Sequence, residues 1–219
     1  MDWMREATTS FLIISFFLLL IYRKKLGKTT QIFTLAIAII SVVNFFSAIY
    51  RRIDTTFNST PYFVVGVSFF SFLLFYIYFY KLLKLKQTRK LQLLSISIFV
   101  ATFAIVGIVE GKIFFLQFPS YFYLFQTLLL MFSITLFFYE TFNSNIILNI
   151  KDYFPFWVCL SLIIIYVGIL PVLFFIQSDN FRVNRNVFII VMFFINLIGY
   201  GILSYGILRS KKSSNLMYE

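Results

Sequence analysis

YFVVGVSFFSFLLFYIYFYKLLKLKQTRKLQLLSISIFVATFAIVGIV, residues 62–109, decides the fold. Two uncharged apolar runs, Tyr62–Tyr80 and Leu91–Val109, flank the segment Lys81–Lys90, which carries five cations. Each run is close to the about 20 residues that an α-helix needs to cross hydrocarbon. The cations between them mark a turn held at the water-facing edge. The stretch therefore reads as a helical hairpin across a bilayer. Five more runs continue the pattern on either side: Ala7–Tyr22, Ile32–Tyr50, Tyr121–Tyr139, Pro155–Ile176 and Val187–Leu208. The expected fold is all-α, a polytopic transmembrane bundle of seven helices forming a single domain over residues 1–219.

Composition agrees. The chain is 61% hydrophobic and 12% charged, against about 45–50% apolar and about 25% charged in soluble domains. That excludes a soluble single domain, a disordered chain and a fibrous repeat. Aromatic residues reach 22%. Tyr22, Tyr50, Tyr62, Tyr80, Tyr121, Tyr123, Tyr139, Tyr153 and Trp157 fall at or near run ends, where amphipathic rings anchor helices at headgroup level. Pro61 and Pro155 open runs and Pro119 lies just ahead of one, positions where a missing N–H costs nothing. Pro171 lies inside the sixth run and predicts a kink near its C-terminal end.

Lys and Arg set the orientation. Of the 19, thirteen fall on one side: Arg23, Lys24, Lys25, Lys28, Lys81, Lys84, Lys86, Arg89, Lys90, Lys151, Arg209, Lys211 and Lys212. Arg5, Arg51, Arg52, Lys112, Arg182 and Arg185 fall on the other. The bias puts the N-terminus outside and the C-terminus in the cytoplasm, and an odd number of helices requires opposite ends. The expected location is a bacterial cytoplasmic (inner) membrane. The first run reads as a retained helix and not a cleaved signal peptide, because Asp2 and Glu6 offset Arg5 and Arg23–Lys25 follow where a small-residue cleavage site would be needed. The net charge of +11 is explained by these loops and not by nucleic acid, since no basic stretch sits on an element that could read a groove.

The chemical inventory is narrow. There is no histidine and one cysteine, Cys159, so the commonest metal ligand and acid–base group is missing, and neither an intrachain disulfide nor a thiolate cluster can form. Asp54, Glu110, Glu140, Asp152 and Asp179 sit at run ends or in loops. No carboxylate near a run centre marks a proton or ion pathway. No lysine in the last run could hold retinal, no Ser–His or Ser–Lys pair lies at depth, and no phosphate loop appears. No enzyme activity, catalytic residue, metal or cofactor is expected.

What remains is polar and small residues inside the runs. Asn44, Gln126 and Asn196 should face the bundle interior, as interhelical glue or as ligand contacts. Glu110 and Glu140 close their helices where the dipole disfavours negative charge, so each calls for a compensating partner; for Glu140 a cation on an adjacent inner loop is expected. Gly199 and Gly206 share a face of the last helix and predict close packing, within the bundle or against a second copy. Lys81, Lys84, Lys86, Arg89 and Lys90 form a topological anchor that also suits docking to anionic lipid or to a partner.

Asp152–Gly168 (DYFPFWVCLSLIIIYVG), with Pro155, Phe156 and Trp157 opening the sixth run and Tyr166 and Gly168 further along, is followed by Asn196, Tyr200 and a last helix ending in Arg209-Ser-Lys-Lys. This resembles small bacterial seven-helix membrane proteins, and is similar to the seven-helix sensory input segments fused to, or working beside, sensor histidine kinases. The resemblance implies signal transduction, with Trp157, Tyr166 and Asn196 among the residues of interest. Only residues 209–219 follow the last run, so the kinase is expected to be a separate chain. Three readings stay open: a sensory or regulatory subunit, a small transporter or channel subunit, and a structural subunit of a membrane complex. The transporter reading lacks the internal repeat of small seven-helix sugar carriers.

Overall fold

A computed structural model describes residues 2–54, 56–171 and 185–211. All regular structure among them is helical, and seven helices are long and apolar enough to cross a membrane. The elements are α1 (Asp2–Leu26), α2 (Thr30–Ile53), α3 (Thr60–Leu82), α4 (Lys86–Glu110), the short α5 (Lys112–Leu116), α6 (Ser120–Phe142), α7 (Phe154–Pro171) and α8 (Arg185–Arg209). A 3₁₀ segment, Asn145–Asp152, precedes α7.

The helices extend beyond the apolar runs into charged residues, because backbone hydrogen bonding continues where hydrophobicity ends. α2 runs on through Arg51 and Arg52, and α4 begins at Lys86 instead of Leu91. The basic segment is thus mostly helical, and only Leu83–Leu85 leave the helix, with Leu83 and Leu85 extended. Gly111 separates α4 from α5 at φ +55°, ψ −128°, a conformation open to glycine and costly for other residues. Two helices carry π-helical turns, Phe63–Ser71 in α3 and Ile163–Val167 in α7. The second ends four residues before Pro171, which has no N–H to donate to the Val167 carbonyl. The end of the sixth run, 172–176, with Asp179, Arg182 and Lys212, lies outside the described residues.

The chain packs as two compact units. A central unit, Lys28–Ile147, holds α2 to α6; a terminal unit, Met1–Gly27 with Leu148–Glu219, holds α1, α7 and α8. Burial in the central unit follows helical spacing. On α2, Phe33, Ala36, Ile37 and Ile40 form one buried stripe. The centre is aromatic, with Phe72, Phe75, Tyr76, Phe79, Phe99 and Phe114 buried. α3 approaches α2 closely at Gly66, where a Cβ would lie 2.6 Å from Val43 Cγ2.

In the terminal unit α8 packs against both α1 and α7. Ser15 and Ser204 hydroxyls meet at 3.1 Å between α1 and α8. Gly199 sits against Ile165 and Gly206 against Trp157, both on α7. Outward faces of both units keep large apolar side chains exposed, among them Ile14, Leu35, Leu93, Ile108 and Phe194. Water-soluble monomers rarely expose so much apolar surface; a hydrocarbon surround removes the penalty.

Candidate functional site

The polar interior of the central unit is built by three helices. Tyr76 on α3 donates its hydroxyl to the Gln126 carbonyl on α6 at 2.7 Å. Gln92 on α4 donates its amide to the Tyr76 carbonyl at 3.1 Å. The Gln126 amide reaches Ser68 Oγ on α3 at 3.5 Å. All four residues are buried. Each bond crosses between helices, so the seam fixes the register of α3 against α4 and α6. Two acceptors in it, Gln92 Oε1 and Gln126 Oε1, have no hydrogen-bond partner among the described residues. An unpartnered buried acceptor costs about 1–3 kcal/mol.

Ser68 belongs to the π-helical turn of α3, as does Ser71. The Ser71 hydroxyl lies within reach of the Gly66 carbonyl at 3.1 Å and the Ala36 carbonyl of α2 at 3.3 Å. Widening the helix to i→i+5 bonding redirects side chains beside it, and such turns recur at functional positions.

At one end of the same three helices lies a second cluster. Glu140, near the C-terminus of α6, accepts hydrogen bonds from the backbone N–H groups of Lys84 at 2.7 Å and Leu85 at 3.1 Å. It also accepts one from the Thr88 hydroxyl. Leu85 is the N-cap residue of α4 and has no side chain able to cap. The carboxylate from α6 accepts the N-cap residue's own N–H, as the glutamate of a capping box does, and sits at the positive end of the α4 dipole. The compensating partner of Glu140 is therefore a set of N–H and O–H donors, not the cation expected from the sequence; the donors could not be foreseen without knowing that the α3–α4 turn faces α6. Lys81, Lys84, Lys86, Arg89 and Lys90 around this turn are all exposed. The Arg89 guanidinium lies over the Tyr80 ring, 4.7 Å from its centroid.

The remaining sequence candidates fall elsewhere. Asn44 and Asn196 are only half-buried, and each donates back to its own helix, to Ile40 and Met192 carbonyls at 2.9 and 2.7 Å. Neither amide bridges helices through that bond, because an i−4 carbonyl is always in reach and satisfies the donor at no cost in packing. Glu110 is exposed at the end of α4. In the terminal unit, Trp157 donates its indole N–H to the Lys151 carbonyl at 2.8 Å and packs edge-on against Tyr205. Tyr166 is buried on α7. Lys211 pairs with Asp152 at 2.7 Å, and Lys25 donates to the Leu208 carbonyl at 3.0 Å, tying α1 to the end of α8.

Sequence reasoning missed Gln92, Thr88 and Tyr76. The signal for the first two was present: Thr88, Gln92, Ser95 and Phe99 recur at spacings of four and three and form the buried stripe of α4. Among the described residues no group of His, Cys, Asp or Glu is arranged to hold a metal. Compared with family models, with curated proteins and with solved structures, the chain matches none.

Proposed function

We propose that the chain is a non-enzymatic sensory or regulatory subunit of a bacterial inner membrane, with its N-terminus outside and its C-terminus in the cytoplasm, acting through a separate signalling protein such as a histidine kinase. One observation carries the reading. α3, α4 and α6 share buried polar contacts at Ser68, Tyr76, Gln92 and Gln126, and the Glu140 cluster at one end. A change in packing at the seam is felt at a surface turn, because the same three rigid elements carry both. The positive-inside bias supports a cytoplasmic position for that turn, within reach of a partner. The unpartnered amide oxygens supply the tension: a packing that satisfies them competes with the present one, and any input that favours either shifts the balance. The resemblance of Asp152–Gly168 to sensory input segments supports the same reading.

The test is affinity purification from native membranes in mild detergent, with mass spectrometry of what accompanies the chain. A stoichiometric kinase or comparable regulator is expected. A clean chain without a partner would contradict the proposal. The alternative reading is a small transporter or channel subunit, which seven apolar spans also suit. Substrate flux in reconstituted vesicles would establish it, and its absence across sugars, ions and metabolites would remove it.

A further inference from the structure

The α3–α4 turn concentrates charge without balancing it. Lys81, Lys84, Lys86, Arg89 and Lys90 are exposed, and none forms an ion pair among the described residues. The acidic group beside them, Glu140, is turned onto the N–H groups of Lys84 and Leu85 and the hydroxyl of Thr88. Those donors are therefore occupied, and what the surface offers an incoming anion is side-chain cations. Their position is fixed at both ends, since α3 ends at Leu82 and α4 starts at Lys86. Both helices are long and apolar enough to span a membrane, so the turn lies at headgroup depth.

Two details select the anion. Leu85 lies between Lys84 and Lys86 and is 52% exposed. An apolar side chain flanked by two ammonium groups fits acyl chain below and headgroup above, and gains nothing from a free ion in water. Arg89 is held over Tyr80. This stacking orients a planar fork that suits a phosphodiester, while the ring occupies the interfacial zone.

We propose that the α3–α4 turn binds the phosphate headgroup of an anionic phospholipid, with Lys84, Lys86 and Arg89 as its contacts and Leu85 against the acyl chains. The attraction follows the general pull of anionic leaflets on basic segments beside a span. The distinct feature is that a carboxylate from α6 locks the backbone of this turn and so presents the cations in one arrangement. The inference needs the helices to span a bilayer but not the sensory reading.

The experiment uses the purified full chain alone, in neutral detergent, so it is independent of any signalling partner. Native mass spectrometry counts phosphatidylglycerol and phosphatidylcholine retained, and titration into vesicle-matched mixed micelles gives relative affinity. Phosphatidylglycerol should bind in preference to phosphatidylcholine. The triple substitution Lys84→Gln, Lys86→Gln, Arg89→Gln should weaken it about tenfold or more. Arg23→Gln with Lys24→Gln, which removes exposed cations from the end of α1, should leave it within about twofold. All five positions are at the surface, and circular dichroism of the variants verifies folding. Equal retention of the two lipids would overturn the proposal. So would equal losses from both sets of substitutions, which would make the effect one of net charge. Inorganic phosphate competing at the lipid's own concentration would show a free-anion site instead. If the triple variant kept its lipid but lost a protein partner in native membranes, the turn would be a protein dock.

Discussion

At Glu140 a single carboxylate meets two backbone N–H groups and a hydroxyl belonging to a different helix and its preceding turn. Charge-assisted bonds of this kind contribute about 1.5–3 kcal/mol when protected from water and less when partly exposed. Glu140→Ala should therefore lower stability by about 1–3 kcal/mol in thermal unfolding in detergent. Glu140→Gln, which keeps one acceptor oxygen, should fall between it and the parent. The seam behaves differently. Tyr76→Phe removes the one donor to the Gln126 carbonyl from α3 and should cost about 0.5–1.5 kcal/mol. Gln126→Leu removes an unpartnered acceptor together with a long 3.5 Å bond. It should be neutral or stabilising, and a loss above about 2 kcal/mol would show that Gln126 is held by more than the seam.

Helix packing turns on where a Cβ can fit. At Gly206 it would lie 2.2 Å from Trp157 Cβ, an atom tied to the α7 backbone. No rotamer change relieves that contact, so Gly206→Ala must push α7 and α8 apart, at about 1–3 kcal/mol. Gly201, five residues earlier on α8, meets nothing within 4 Å. Gly201→Ala should be neutral or gain up to about 1 kcal/mol through helix propensity. The pair, compared in one detergent by thermal unfolding, separates packing from propensity. At this scale most of the fold was legible, because seven uncharged runs of spanning length leave little else to build. The helix ends were not, since hydrogen bonding at Lys86–Lys90 continues through charge. Polar roles were legible only where length decided them. Gln126 can reach across helices, whereas Asn44 and Asn196 are short enough to close onto their own i−4 carbonyls. The Glu140 cluster needed the tertiary meeting of α6 with the α3–α4 turn, which no local pattern encodes.

At the level of the whole molecule the chain divides its helices unevenly along the sequence, with α1 joined to α7 and α8, and α2 to α6 grouped between them. Hydropathy gives no marker for that grouping, because all seven spans are similarly apolar. Orientation rests on the distribution of Lys and Arg and is open to a direct check. The single cysteine, Cys159, is buried, so Cys159→Ala gives a background for single reporters. In intact cells an impermeant maleimide should label a cysteine replacing exposed Glu110 and spare one replacing Lys84, and the reverse pattern would invert the topology.

The sensory reading requires the interior of the central unit and its basic turn to move together through α3, α4 and α6. Gln126 and Glu140 are separated by about 21 Å along α6, at 1.5 Å per residue. Amide hydrogen exchange at Lys84 and Leu85, measured in the parent chain and in Gln126→Leu, tests the claim without knowledge of any ligand. Coupling predicts a clear change in protection at both amides, with Gly201→Ala as the unaffected control. Unchanged exchange at the turn, in a variant whose seam is demonstrably altered, would contradict it.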